Sequence, residues 1–246
     1  MGRFSWQILL GLSLVLVSAL LYTLHYAIFQ DAHHIFIYLL GDVAFLPIQV
    51  LIVTLIISEF LGEREKRARV EKLSMIVGAF FSEVGTALLA RFSDLDPKLD
   101  QIREALVVAN DWSPQDFNVV SQRLKGYDYG IEIREVDLEG LRTLLAGKRG
   151  FLLQLVQNPN LLEHESFTEL LRAVFHLTEE LISREEIADL PRTDYQHIAG
   201  DVNRAYVLLV HEWLGYMRHL RDEYPYLFSL AMRTNPLDRE ASPIVR

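Results

Sequence analysis

The sequence predicts an all-α protein: an N-terminal transmembrane helical hairpin followed by a cytosolic helical bundle domain. Three observations predict it. Two apolar runs, Ile8 to Phe29 and Ile35 to Leu61, each exceed the ~20 residues needed to span hydrocarbon, and only the polar turn Gln30-Asp-Ala-His-His34 separates them. After them, apolar residues recur at alternating three- and four-residue steps, the period of a helix. Two-residue alternation surfaces once, at Ile131 and Ile133, which is too little for a sheet.

Composition narrows the function classes. The chain has 246 residues, half of them hydrophobic, and its mean hydropathy of +0.15 lies between that of a soluble protein and one wholly in membrane. Net charge is -9; residues 1–61 hold only Arg3 against Asp31, Asp42 and Glu59, so the remainder carries 23 basic and 30 acidic side chains. That balance disfavours nucleic acid as a partner, because phosphates demand a basic surface. The absence of cysteine excludes disulfides, thiolate metal sites and cysteine nucleophiles.

The hairpin occupies residues 1–61, with helices at about 5–29 and 35–61. A cleaved signal peptide is the competing reading of the first run, since Arg3 precedes it. No small-x-small cleavage site precedes polar sequence, however, and apolar character continues through Tyr26-Ala-Ile-Phe29. The short turn returns the second helix antiparallel to the first. Arg3 flanks one end of the pair, while Arg64, Lys66, Arg67, Arg69 and Lys72 crowd the other, and the turn has no Lys or Arg. By the positive-inside rule both termini are cytoplasmic, giving a multi-pass protein of the cytoplasmic (inner) membrane. Trp6 and Phe60 then lie at the inner interface, and Tyr22, Tyr26, Phe36 and Tyr38 toward the outer one.

Polar residues inside these spans are the candidate functional positions, because hydrocarbon penalises them unless protein or water satisfies them. At 100° per residue Tyr38, Asp42 and Gln49 share one face of the second helix, and Gly11, Ser18, Tyr22 and His25 one face of the first. Asp42 lies ~10 Å along the axis from Ile35 and His25 ~6 Å from Phe29, so the two are placed to meet. Two helices cannot surround a carboxylate, so several hairpins are expected to associate and bury these faces. Pro47 removes the hydrogen bond to the Val43 carbonyl and is expected to bend the helix. Leu46, Val53 and Ile56 continue the Asp42 face as apolar residues, a candidate gate if that face lines a pore. The alternative is interhelical glue, with Asp42 bonded to Tyr38 or His25 and no conduction. In the turn, Asp31, His33 and His34 are weak candidates for a divalent metal, set against an ordinary polar turn. The turn is too short for a re-entrant pore loop.

Residues 62–233 read as one cytosolic helical domain and 234–246 as a polar tail. Glu63 to Arg91 forms a long helix continuing the second span, with Gly62 a possible joint. Its stripe, Val70, Leu73, Val77, Phe80, Val84 and Ala87 widened by Ile76, Phe81 and Leu88, suits a central core helix. Asp96-Pro97 and Ser113-Pro114 each start a short helix, and Gly126 to Gly130 is a turn. Asp137 to Ala146 is helical with Gly147 as its C-terminal cap, and Lys148 to Gln157 follows, ended by Asn158-Pro159-Asn160. Ser166-Phe-Thr-Glu169 is a capping box opening a helix whose core face is Phe167, Leu170, Leu171, Val174, Leu177 and Leu181. Leu190-Pro191 separates it from Asp194 to Arg221, with Ile198, Val202, Ala205, Tyr206, Leu209, Trp213, Met217 and Leu220 inward. Tyr224-Pro225 breaks this helix, and Tyr226 to Met232 adds a last apolar turn or two.

No phosphate loop, GxGxxG, GxSxG or HExxH occurs, and no cofactor is predicted. His176 with Glu179 and Glu180, His197 with Asp201, and His211 with Glu212 and His219 are possible bundle ligands. They lack the Glu-x-x-His tetrad of di-iron carboxylate proteins. Helical arithmetic turns them out of the core, and they read as a solvated or subunit-facing polar stripe.

The strings LLGDVAFLPIQVLIVTLI and YPYLFSLAMRTNP are similar to stretches of uncharacterised bacterial and archaeal two-span membrane proteins, a likeness covering most of the chain. It carries no activity and no site residue, and no characterised channel family is matched. The expected function is a homo-oligomeric integral membrane protein whose cytosolic domain senses or binds a partner and is coupled to the spans. Its partners would be the bilayer, further copies of itself and monovalent or divalent cations. The alternatives are an ion channel with Asp42 facing the pore and a metal-dependent enzyme in the helical domain.

Overall fold

The computed structural model describes residues 3–132, 138–187 and 190–245, and no strand occurs among them. Ile133 and Asp137, expected to belong to an extended piece and a helix start, lie outside the described residues, as do the side chains of the basic collar Arg64 to Arg69. The chain is all-α and forms two compact units, Met1–Lys66 and Arg67–Arg246.

In the first unit, α1 (Arg3–Phe29) is followed by α2 (Ala32–Phe80). Gln30 closes α1 by donating its N–H to the Tyr26 carbonyl at 2.9 Å, and its left-handed φ of 54° reverses the chain. Asp31 then opens α2, its Oδ1 accepting the backbone N–H of His33 at 2.9 Å and of His34 at 3.2 Å. The second helix therefore starts three residues before Ile35, because the cap lies in the turn. Ile8–Phe29 and Ala32–Glu59 are long and apolar enough to cross a membrane. Their Leu, Ile and Val side chains are exposed along both helices, an apolar surface far beyond what a soluble monomer leaves bare.

A third stretch, Glu71–Ser93, also has the length and composition of a span. Its apolar face is instead the core of the second unit: Phe80, Phe81, Val84, Leu88, Leu89 and Phe92 are all buried. The expected single helix is interrupted here. α2 ends at Phe80, a π-helical turn runs over Phe81–Gly85, and α3 is Thr86–Ser93. The extra residue per turn lets adjacent Phe80 and Phe81 both point inward, edge-on to one another at 5.4 Å. Phe80 then meets Phe167 and Phe81 stacks on Tyr216.

The rest of the unit comprises α4 (Asp100–Leu106), α5 (Pro114–Lys125), α6 (Leu138–Val156), α7 (Glu165–Ile182), α8 (Arg192–Glu223) and α9 (Pro225–Arg233), with a 3-10 turn at Pro159–Glu163. The stripes expected on α7 and α8 are buried in full, from Phe167 to Leu181 and from Ile198 to Leu220. Each buried Leu or Phe is worth ~1.5–3 kcal/mol, so these two helices and α6, packed along α7, anchor the domain.

Three local expectations are corrected. Gly147 does not end a helix, since α6 runs through it and Gly150 to Val156. The stripe Leu141, Leu145, Leu152 and Leu155 continues across, and its burial outweighs the ~1 kcal/mol that helical glycine costs. The Ser166 box is not used: His164 caps α7, its Nδ1 accepting the Phe167 N–H at 3.3 Å, and Ser166 falls inside the helix. A capping box does form on α5, where Asp116 Oδ2 accepts the Ser113 N–H at 2.7 Å and Ser113 Oγ accepts the Asp116 N–H at 3.4 Å. Asp96-Pro97 starts no helix, for α4 begins at Asp100. The segment beyond Arg233 is polar in composition, yet Asn235 and Leu237 are fully buried.

Candidate functional site

Within the first unit a cleft of about 470 Å³ opens between α1 and α2. Ser18, Tyr22, His25, Tyr38 and Asp42 line it against apolar walls of Leu14, Val17, Leu21 and Ile35. Four- and three-residue spacings stack Ser18, Tyr22 and His25 on one face of α1 and Ile35, Tyr38 and Asp42 on one face of α2. The tight reversal at Gln30 turns those faces toward each other. The His25 ring lies parallel to His34 at 6.1 Å and against Phe29 at 4.7 Å, and His34 meets Tyr38 edge-on at 4.6 Å. His25 Nε2 is buried without a hydrogen-bond partner. Histidine and acid thus line one cleft, and His25 Nε2 makes no hydrogen bond to Asp42.

The other predicted positions fall elsewhere. Gln49, Leu46, Val53 and Ile56 are exposed on α2 outside the cleft, and Pro47 is accommodated within the helix. Gly11 has open space around it. Of the turn residues, Asp31 is engaged by two backbone N–H groups, and His34 is turned to the aromatic cluster.

In the second unit α7 and α8 bring together residues that helical arithmetic sends outward. His197 and Arg204 do lie at the surface, but Asp201 is only 4% exposed, a correction to that reading. It flanks Val202 closely enough for α7, packed alongside, to cover it. Asp201 Oδ2 stands 3.5 Å from Nε2 of both His176 and His197, and Oδ1 stands 3.6 Å from Arg204. Oδ2 nevertheless makes no hydrogen bond. Glu180 lies 3.8 Å from His176 and 3.6 Å from His197. It also pairs with Arg184 at 2.9 Å, and Arg184 grips Asp194 through two 2.7 Å bonds. Hydrogen bonding to Arg184 holds the Asp194 and Glu180 carboxyls below the usual range. His176 and Arg204 also border a shallow surface groove of about 680 Å³ floored by Ala173, Val207 and Leu208. His211 is half-buried beside Tyr129, 6.1 Å between rings, and burial pushes its pKa down.

Sequence reasoning missed a further cluster. Asp96, read as a cap, is buried and accepts hydrogen bonds from Tyr127 at 2.8 Å, Tyr206 at 3.2 Å and the Lys98 N–H at 3.0 Å. Tyr129 stacks edge-on with both tyrosines, and its buried hydroxyl has no partner. The density of tyrosines in GYDYG was the available signal.

The fold thus defines a class: an all-helical protein with an apolar two-helix hairpin bearing an internal polar cleft, followed by a helical domain. Residues 2–61 match the family model described as "MJ1433, N-terminal helical domain", and residues 69–233 the one described as "Uncharacterized protein MJ1433, C-terminal helical domain". The "Uncharacterized protein MJ1433" of Methanocaldococcus jannaschii is 43% identical over 236 residues, covering 96% of this chain and 95% of that protein. The chain belongs to the MJ1433 family. No solved structure matches it.

Proposed function

We propose that the protein is a homo-oligomeric integral membrane protein. Its hairpin crosses the cytoplasmic membrane twice with both termini inside, and its helical domain binds or senses a partner in the cytosol. The observation that carries this reading is the polar cleft of Ser18, Tyr22, His25, Tyr38 and Asp42 between two helices whose exposed faces are mainly apolar. Hydrocarbon accepts apolar faces but not an ungated carboxylate, so packing of further copies over the cleft is the simplest way to satisfy it. Support for coupling comes from α2, which runs as one helix from Ala32 to Phe80 and so contributes residues to both units. The partners follow: the bilayer, other copies of the chain and, through Asp42, monovalent or divalent cations, with nucleic acid disfavoured by the acidic net charge.

Because the chain has no cysteine, single cysteines at Ala32 and Ser183 test topology directly. In sealed inverted vesicles, an impermeant maleimide should label position 183 and spare position 32. Mass measurement in detergent should give a defined oligomer; a monomer at every concentration, or labelling of both positions, would sink the proposal. A second reading, favoured by Asp42 alone, makes the assembly an ion path. Liposomes should then pass cations, and Asp42→Asn should reduce the flux; no flux, or flux unaffected by that change, removes it.

A further inference from the structure

Asp42 lines the cleft between α1 and α2, ~15 Å along the axis from the start of α2 at Ala32. Between Arg3 and Arg64 the sequence has no Lys or Arg. Neither this hairpin nor a second copy packed on it therefore offers the carboxylate a fixed positive charge within the span. A lone carboxylate in hydrocarbon is relieved by a mobile cation or by protonation. Among the described residues no three His, Asp or Glu are grouped to hold a metal ion, and one negative charge is balanced by one proton. Depth from the reversal at Gln30, at ~1.5 Å per residue, orders the polar groups: His34 at ~3 Å, His25 at ~6 Å, Tyr38 and Tyr22 at ~9–11 Å, and Asp42 level with Ser18 at ~15–17 Å. The first steps lie ring to ring, His34 being 6.1 Å from His25 and 4.6 Å from Tyr38. His25 Nε2, an atom that can take or give a proton, is buried with no hydrogen-bond partner. The cleft of about 470 Å³ has room for waters of ~30 Å³ each to bridge the remaining gaps. Past Asp42 the character changes, for Val17 and Leu14 line the far end at ~18 and ~23 Å, and the polar ladder stops at the acid.

We propose that Asp42 is a proton-binding site filled from the side of the hairpin turn, the proton entering by His34 and His25 and passing the Tyr38 and Tyr22 hydroxyls. The proposal rests on the reading of the hairpin as a membrane-spanning pair, and it names the cation that pair takes up. A hydronium ion gives its proton to the carboxylate, leaving a neutral carboxyl and one water, so the step needs no co-reactant. Protonation removes the charge that hydrocarbon opposes most, and it turns Asp42 from a group that needs water into one that a neighbouring hydroxyl can satisfy. The apolar far end makes the site a dead end, one that registers acidity on the turn side and does not pass protons across. The titratable groups facing it are Tyr22 and His25 from α1 and Tyr38 and His34 from α2. His33 and Asp31 stand beyond them in the turn, where Asp31 is engaged by the backbone N–H groups of His33 and His34.

The test uses the full chain carrying Ala32→Cys in liposomes, with dicyclohexylcarbodiimide, an apolar reagent that adds to protonated carboxyls inside membranes; adducts are located by peptide mass. An impermeant maleimide marks the chains whose turn faces the outside medium. In those chains, lowering the outside pH from 8 to 5 should raise modification of Asp42 severalfold relative to Glu59, which lies ~26 Å further along α2. Lowering the lumen pH should favour Glu59 instead. Asp42→Asn should remove the adduct at that position with helix content unchanged by circular dichroism, and sodium at constant pH should leave modification as it was. Modification of Asp42 that is indifferent to pH, or that follows the lumen, overturns the proposal. Protection by sodium makes the ligand a metal cation and overturns it as well. Failure of the membrane reading shows itself separately, as a chain with cysteines at both 32 and 183 that takes the impermeant maleimide at both.

Discussion

The Tyr206 hydroxyl donates a hydrogen bond to Asp96 Oδ2 at 3.2 Å, joining the middle of α8 to a turn 110 residues earlier. Tyr127 donates to the same oxygen at 2.8 Å, and the Lys98 N–H occupies Oδ1 at 3.0 Å. Three donors make burial of this carboxylate tolerable, and in return it fixes the chain between α3 and α4 against α8. Hydrogen bonds to charged groups contribute about 1.5–3 kcal/mol, so Tyr206→Phe is expected to destabilise the domain by about that amount. Tyr127→Phe should act in the same direction. Urea unfolding should show a lower midpoint with an unchanged slope; an unaltered midpoint for Tyr206→Phe would mean the bond contributes nothing.

The same cluster predicts behaviour in alkali. Burial first, and the Asp96 charge and hydrogen bond after it, push the Tyr206 and Tyr127 phenols above their ordinary range; burial also raises Tyr129. With folded values raised, the stabilisation is complete below the unfolded tyrosine pKa of ~10 and is lost as pH rises beyond it, since only the unfolded chain then releases these protons. The phenolate absorbance of Tyr127, Tyr129 and Tyr206 at 295 nm should therefore appear only together with loss of helix signal. A single smooth titration of all 10 tyrosines with the fold intact would contradict the burial.

Gly85 closes the π-helical turn, and a Cβ there would sit 2.7 Å from Phe81 Cδ1 and 2.8 Å from Phe80 Cε1. Neither ring can withdraw, because Phe80 and Phe81 are held at 0% and 1% exposure by Phe167 and Tyr216. Gly85→Ala, which improves intrinsic helix propensity, is expected instead to destabilise by about 1–3 kcal/mol through overpacking. Gly147→Ala is the control: with open space around it on α6, it should stabilise by up to ~1 kcal/mol. Melting temperatures moving in the same direction for both would refute the packing account.

Where sequence and structure agree, the signal is local and periodic. Phe167 to Leu181 and Ile198 to Leu220 follow the helical period, and their burial follows from it. The hairpin is legible because hydropathy marks both helices and the five-residue turn leaves one way to connect them. Spacing alone put His25 with Tyr22 and Ser18, and Asp42 with Tyr38, on the faces that line the cleft. What spacing missed depends on distant partners. Asp96 reads as a cap because Asp-Pro often is one, and nothing nearby shows that Tyr127 and Tyr206 will claim its carboxylate. Asp201 flanks the core stripe of α8 and is buried only because α7 lies beside it. His164 displaced Ser166 because its imidazole nitrogen, two residues earlier, accepts the Phe167 N–H and starts the helix before Ser166. The π-turn at Phe81–Gly85 arises from fitting two consecutive phenylalanines into one core, which no period announces.

Arg184 links the end of α7 to the start of α8 through its paired bonds to Asp194 and its bond to Glu180. Because these carboxyls have folded pKa values below their unfolded ones, their contribution is present above the unfolded carboxylate range of ~4 and is lost as pH falls through it. Both acids are partly exposed, at 29% and 27%, so solvent limits the pairing to about 1 kcal/mol. Arg184→Gln should lower the melting temperature at pH 7 by a few degrees and leave stability at pH 3 almost unchanged. An equal loss at both pH values would mean the side chain acts by packing, not charge.

Asn235 shows why the polar segment after α9 belongs to the domain. Its side chain is fully buried, donating Nδ2–H to the Leu106 carbonyl at 2.9 Å and accepting the Leu237 N–H at 2.9 Å. The Leu106 carbonyl is at the end of α4, where no helical partner remains for it. Leu237 is itself fully buried, and its carbonyl accepts from Arg103 of α4 at 3.2 Å. Asn235→Ala should thus cost about 1–3 kcal/mol by orphaning two buried backbone groups. Truncation after Thr234 should cost more, adding the lost burial of Leu237. Hydrogen exchange provides the check: amides of α4 should lose protection in both variants while those of the hairpin keep theirs. Full protection of α4 without residues 235–246 would show that the segment only lies against a domain already complete.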